Sequence, residues 1–216
     1  MKKAFTLLEL VFVIVVIGII SSIVLSDVKT NRLRDAATQL VEHIYYTQYL
    51  AMKDDKFNVD SKWYEERWQI RFTSDGIAET GYTSAYAIFS DFNGAHSTHP
   101  EFNELAKDPL TGDAISGGVT NAVLYSDDGV YQKANLGISY GVDSISFSSS
   151  CQYYGSMRIA FDHLGRPIKG NIGSTTVNSN IDTLKYITST CEITLHSGTD
   201  SVTISIEPET GFTTIL

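Results

Sequence analysis

No proline precedes Pro100, and no glycine lies between Gly18 and Gly76. The two residues that most readily end a helix are therefore missing from a long early stretch. Cysteine is scarce as well. Cys151 and Cys191 are the only two, and they stand singly, which argues against a structural zinc site built on cysteine pairs. Sixteen Lys and Arg face twenty-five Asp and Glu, a net charge of -9 and the wrong balance for holding a phosphate backbone. The chain also lacks a Gly-Xaa-Ser-Xaa-Gly elbow, a phosphate loop and a zinc-binding histidine pair on a helix, so nothing argues for catalysis.

What the chain has is an apolar beginning. Met1 to Leu25 reads MKKAFTLLELVFVIVVIGIISSIVL, with no charge from Leu10 to Leu25. With Phe5, Leu7 and Leu8 the apolar run reaches about 20 residues, enough to cross a bilayer as a helix. Glu9 alone interrupts it, and a carboxylate there costs roughly 2 to 3 kcal/mol, so it asks for a partner. Lys2 and Lys3 form a basic head, but no A-x-A pattern follows Leu25, so this is not an ordinary secretory signal. Beyond Ser26, Leu33, Ala37, Leu40, Ile44 and Ala51 recur at helical spacing among Lys29, Arg32, Arg34, Asp35 and Glu42. The sequence predicts one helix from Phe5 to Lys53, roughly 70 Å long.

The residues KKAFTLLELV resemble the leader of type IV pilins and type II secretion pseudopilins. The resemblance runs from Lys2 to about Ile23. It implies that a prepilin peptidase cuts between Ala4 and Phe5, that Phe5 is then N-methylated, and that Glu9 pairs with the amino terminus of a neighbouring subunit during fibre assembly. Methylation keeps the positive charge that such a pair needs. Ala4 stands where glycine is commoner in the family. Ser26 lies near where many major pilins carry a kinking proline, which leans towards a minor subunit.

These observations give an α+β, pilin-like expectation: a long N-terminal α-helix, membrane-spanning in its first half and amphipathic in its second, packed on an antiparallel β-sheet domain. The expected division is a leader at 1–4, a transmembrane half at 5–25, an amphipathic half at 26–53 and a periplasmic globular domain at 54–216. The two leading lysines predict a cytoplasmic N-terminus and a single-pass protein of the bacterial inner membrane. In that oxidising compartment Cys151 and Cys191 are expected to pair, at about 4 kcal/mol, the alternative being two buried thiols.

The acid is concentrated centrally. Six basic and fifteen acidic residues fall between Asp54 and Ser149. Trp68, Ile70 and Phe72 alternate with Gln69 and Arg71 as a half-buried strand does, and Ala85 to Phe89 is apolar enough for a buried one. Asp91 to Gly118 reads as a long loop. Within it His96 and His99 lack a third ligand and read as solvated. Asp108 and Asp113 flank Pro109 and Gly112 and offer oxygen ligands of the kind calcium takes, or else a plain turn with its aspartates in water. Asp127-Asp128-Gly129 is a hairpin signal. Later strands are predicted at Val119 to Tyr125, Gly137 to Phe147, Met157 to Phe161, Cys191 to Leu195, Val202 to Ile206 and Phe212 to Ile215.

The expected function is that of a minor pilin or pseudopilin. It is a structural subunit of a secretion pseudopilus or type IV pilus whose partners are the prepilin peptidase, sister subunits, the inner-membrane assembly platform and membrane lipid. The alternative is a competence pilin that binds DNA despite the acidic total, through Arg158, Arg166, Lys169 and Lys185, the basic residues near the C-terminus. Apart from calcium, no cofactor is expected.

Overall fold

The computed structural model describes residues 7–59, 63–92, 100–172 and 185–216, and for residues 22–31 of the first helix the backbone but not the side chains. Helix α1 spans Leu7–Lys53. Its later turns bury one face, where Leu33, Ala36, Ala37, Leu40 and Ile44 are almost wholly shielded. The alanines let strands approach the helix closely, and the spacing of three and four keeps these residues in one stripe. The helix stops where Asp54 takes over: its amide returns to the Leu50 carbonyl (2.9 Å), and its carboxylate accepts from Trp68 Nε1 (2.9 Å) and pairs with Lys56 (2.6 Å).

Two antiparallel sheets pack against α1. The first contains β1 (Gln69–Thr73), β2 (Ala85–Phe89), β4 (Arg158–Phe161) and β5 (Pro167–Lys169), in the order β2-β1-β4-β5. The second contains β3 (Ser144–Phe147), β6 (Cys191–Ser197), β7 (Asp200–Ile206) and β8 (Thr213–Ile215), in the order β3-β6-β7-β8. A short helix α2 (Leu136–Tyr140) precedes β3. Ile70, Ile88, Ile159 and Phe161 of the first sheet meet Ile193, Leu195, Ile204 and Ile206 of the second in one core under the helix.

Residues 100–135 hold no regular strand, yet they are built into the molecule. Single bridges fasten them to the outer edge of β2, at Phe89 with Leu105, Ala87 with Ser116 and Ala85 with Asn135. The backbone bonds that a neighbouring strand would supply come from Ile115, Ala106 and Gly117 instead (3.1, 2.8 and 2.9 Å). This layer also covers the far face of β2, where Ala87, Phe89, Leu105, Ala114 and Val130 form a second core. Burial on both faces explains why β2 is apolar throughout. The part of the expected Asp91 to Gly118 loop that is described is thus a fitted cover.

The expected architecture needs correction. Among the described residues no helix is long and apolar enough to cross a membrane. The membrane-spanning first half, and with it the single-pass inner-membrane placement and periplasmic topology, is therefore not supported. The body is also built on two sheets rather than one.

Single hydroxyls close the outer strands of the second sheet. Tyr45 donates to the Thr213 carbonyl (2.8 Å) and accepts from the Thr213 amide (3.1 Å), occupying that rung of β8. Ser74 does the same for Ile145 of β3 (3.2 and 3.4 Å).

Candidate functional site: an exposed apolar helix end and a buried polar joint

The first four turns of α1 carry Leu, Ile, Val and Phe on every side, and all but the partly shielded Val16 are exposed: Leu7 and Leu8 at 81%, Phe12 at 70%, Ile14 at 58%. A helix that is apolar all round is built to be covered. Among the described residues little covers it. A Cβ added at Gly18 meets no atom within 4 Å. Glu9, in the first turn, is the one acidic side chain of this end and is exposed. The expected cleavage and methylation residues, Ala4 and Phe5, lie outside the described residues, as do His96 and His99.

A buried polar joint locks the packed half of α1 to the cover layer. Gln39 Nε2 donates to the Tyr86 hydroxyl (2.7 Å) and to the Lys133 carbonyl (3.0 Å), while Gln39 Oε1 accepts from Tyr140 (2.6 Å) and Tyr131 (3.3 Å). Because Tyr86 already accepts from Gln39, its own proton points at His43 Nδ1, 2.6 Å away. That places the neutral imidazole proton on Nε2, facing Asp108 Oδ2 at 3.9 Å. Burial lowers the His43 pKa to about 4, against the opposing pull of Asp108. The His43–Asp108 contact is accordingly not an ion pair at neutral pH. Burial also pushes the Tyr86 hydroxyl well above the ordinary tyrosine range.

The candidate calcium residues lie at this joint. Burial raises the Asp108 carboxyl, but amide bonds from Thr111 (2.8 Å) and Leu110 (3.0 Å) outweigh it and hold the group below its usual value. The Asp113 amide bonds to Thr111 Oγ1 (3.2 Å), and its carbonyl receives the Asp108 amide (2.7 Å). One Asp108 oxygen is thus spent on the turn and the other faces an imidazole. No set of three His, Cys, Asp or Glu is placed to hold a metal among the described residues. The arrangement suits a self-capped turn.

The four C-terminal basic residues do not form a surface patch. Arg158 is buried at 6% exposure, donates to Asn171 Oδ1 (3.3 Å) and lies over the Phe89 ring. Burial lowers its pKa to about 9. Lys185, at 3% exposure, donates to the Asn171 carbonyl (3.0 Å). Arg166 is bound to Asp162 (2.8 Å) and stacks on Tyr186. Lys169 is half-buried.

Comparison with family models, with curated proteins and with solved structures gives no match.

Cys151 and Cys191 form a disulfide with a Cα separation of 5.1 Å, joining the turn after β3 to the first residue of β6. The buried joint itself is absent from the sequence-based candidates. Gln39 and His43 follow Ala36 at spacings of three and seven, a signal that they share the buried face. Asp162 is another such residue. Its buried carboxylate accepts from the Leu164 amide (3.0 Å), the Arg166 amide (2.8 Å) and the Tyr186 hydroxyl (3.2 Å), shaping the turn between β4 and β5.

Proposed function

We propose that this chain is a structural subunit of pilin or pseudopilin type, a minor component of a secretion pseudopilus or type IV pilus, joined to its neighbours through its N-terminal helix. The observation that carries the reading is the apolar end of α1, Leu7 to Ile20, which is largely exposed among the described residues while the body's own core is closed. Apolar surface of that extent is stabilised by burial against other chains. The motif AFTLLEL supplies the second support, since it is the signature of subunits that a prepilin peptidase prepares for assembly.

In this role Glu9 sets the register between successive helices by pairing with a cation of the neighbouring subunit. A pair of that kind gains little net stability after desolvation, but it penalises every wrong stagger. The partners are the prepilin peptidase, sister subunits and the assembly platform. DNA binding is the weaker reading because its four cations are buried, bonded or half-buried.

Intact mass and N-terminal sequence of the natively expressed protein test this. The expected result is a chain that begins at N-methylated Phe5. A chain beginning at Met1 refutes the reading. Glu9→Leu is expected to leave processing intact and reduce incorporation into fibres.

A further inference from the structure

Tyr86 is fully buried, and its hydroxyl proton points at a neutral imidazole. We propose that Tyr86 and His43 form a one-electron redox site: a small oxidising radical withdraws an electron from the protein, and Tyr86 is left as a neutral tyrosyl radical whose proton sits on His43. An oxidised phenol is a strong acid, so its radical is held only where a base stands ready for the hydroxyl proton. Tyr86 meets that condition. Its oxygen lies 2.6 Å from His43 Nδ1, close enough for direct proton transfer. Gln39 donates to the same oxygen (2.7 Å), which directs the Tyr86 proton to the imidazole.

The other tyrosines with described hydroxyl acceptors lack such a base. Tyr45 and Tyr46 donate to backbone carbonyls, and Tyr131 and Tyr140 to the amide oxygen of Gln39, none of which takes up a proton near neutral pH. Tyr186 donates to the Asp162 carboxylate, but at 3.2 Å, and the Arg166 guanidinium stands 4.7 Å from its ring centroid, where a positive charge opposes loss of an electron. An entry route is also in place. Tyr131 and Tyr140 are half-buried, both bond to Gln39, and the Tyr131 ring centroid is 5.5 Å from that of His43. An electron lost from either can be replaced from Tyr86 behind them.

The step balances within these groups. The oxidant gains one electron and becomes its anion, Tyr86 loses that electron, the Tyr86 O–H bond breaks and an Nδ1–H bond forms on His43. The imidazolium then presents its Nε2 proton to Asp108 Oδ2, 3.9 Å away, whose charge opposes its own. The radical oxygen keeps its bond from Gln39. With no exposed surface, the Tyr86 ring is shielded from the radical–radical coupling that removes exposed tyrosyls within a short time.

Pulse radiolysis of the full-length chain in azide solution tests this, with the azide radical as oxidant and the tyrosyl absorption band as readout, in wild type, Tyr86→Phe, His43→Phe and Tyr154→Phe. Tyr154 is 92% exposed and serves as the control. Wild type and Tyr154→Phe are expected to show the same slowly decaying tyrosyl signal. Tyr86→Phe is expected to lose it, and His43→Phe, which keeps the tyrosine but removes the base, to shorten its lifetime about tenfold or more. Electron paramagnetic resonance of the freeze-trapped wild-type radical, with histidine labelled by nitrogen-15, needs no variant and is expected to show coupling to an imidazole nitrogen. No slow signal in wild type, a slow signal that survives Tyr86→Phe or is equally lost in Tyr154→Phe, an unchanged lifetime in His43→Phe, or a radical without nitrogen coupling would each overturn the proposal.

Discussion

The two sheets are stabilised in different ways. The first is covered on both sides, by α1 within and, without, by the irregular 100–135 layer over β2 and by Ile172 and Tyr186 beside β4, so β2 and β4 are buried at every position. The second is more open on its outer side, and β6 alternates buried with exposed or half-buried residues from Cys191 to His196. The first sheet depends on polar groups that join separate layers, above all the Gln39–Tyr86–His43 joint. The second depends on long ladders, with seven paired positions between β6 and β7, and on a covalent staple. Chemical perturbation should therefore divide the molecule along this line.

The largest expected effect is on the second sheet. Replacing both cysteines by serine removes a constraint worth about 4 kcal/mol, and hydrogen exchange should quicken first in β3 and β6 while β1 and β2 keep their protection. Equal loss in both sheets would erase the contrast. The next is acid. His43 has a pKa of about 4 in the fold against 6.5 unfolded. The unfolded chain therefore takes up more protons between those values, and stability present above pH 6.5 is lost as pH falls towards 4, by about 3 kcal/mol. Urea midpoints across that range should show it, and His43→Phe should flatten the slope. Depressed carboxyls such as Asp162 act lower: their contribution is present above the normal carboxylate pKa and is lost below it.

Smaller effects probe single bonds. Tyr86→Phe leaves the Gln39 amide without one acceptor and His43 without its donor, at about 2 kcal/mol, and a thermal melt at pH 7 would measure it. Its pair in the second sheet is Tyr45→Phe, which strips one rung of β8 and should cost about 1 kcal/mol because water can replace the bond. A larger loss from Tyr45→Phe than from Tyr86→Phe would invert the ranking of the two regions.

The strands were legible in the sequence where one rule governed them. Ala85 to Phe89 is continuous because both faces are buried, and Val202, Ile204 and Ile206 alternate because one is. Elsewhere context decided. The stretch from Gly137 to Phe147 reads as strand, yet Leu136–Tyr140 is helical: Asn135 Oδ1 caps the Ile138 amide (2.9 Å), and Gly141 leaves in a left-handed conformation (φ 76°). Gly137 fits only because it lacks a side chain, since a Cβ there would lie 2.5 Å from Thr83. Val119 to Tyr125 is no strand either, because the Glu79 carboxylate takes the Tyr125 amide (2.8 Å). Strand β5 escaped notice since its three residues begin with Pro167 and owe their shape to β4.

The helix told a similar story at the site. Leu33, Ala37, Leu40, Ile44 and Ala51 were readable as its buried face and are buried. Gln39 and His43 were not, because a polar residue declares itself part of a core only through partners that are distant in sequence, here Tyr86, Tyr131 and Tyr140. The membrane reading of the first half is not supported, since among the described residues no helix is long and apolar enough to cross a bilayer. The contrast between exposed and packed turns, which carries the functional proposal, needed the fold.

The Tyr45 hydroxyl on Thr213 bears on what this sheet offers to another molecule. A strand approaching β8 from another molecule would find that rung already taken, and the three residues of β8 leave it little else to grip. Ser74 guards β3 in the same manner. Stacking by strand exchange, the route to irreversible fibrils, is blunted at both borders of this sheet. A chain so guarded can carry an exposed apolar helix at high local concentration without offering these two strands as a template for strand exchange.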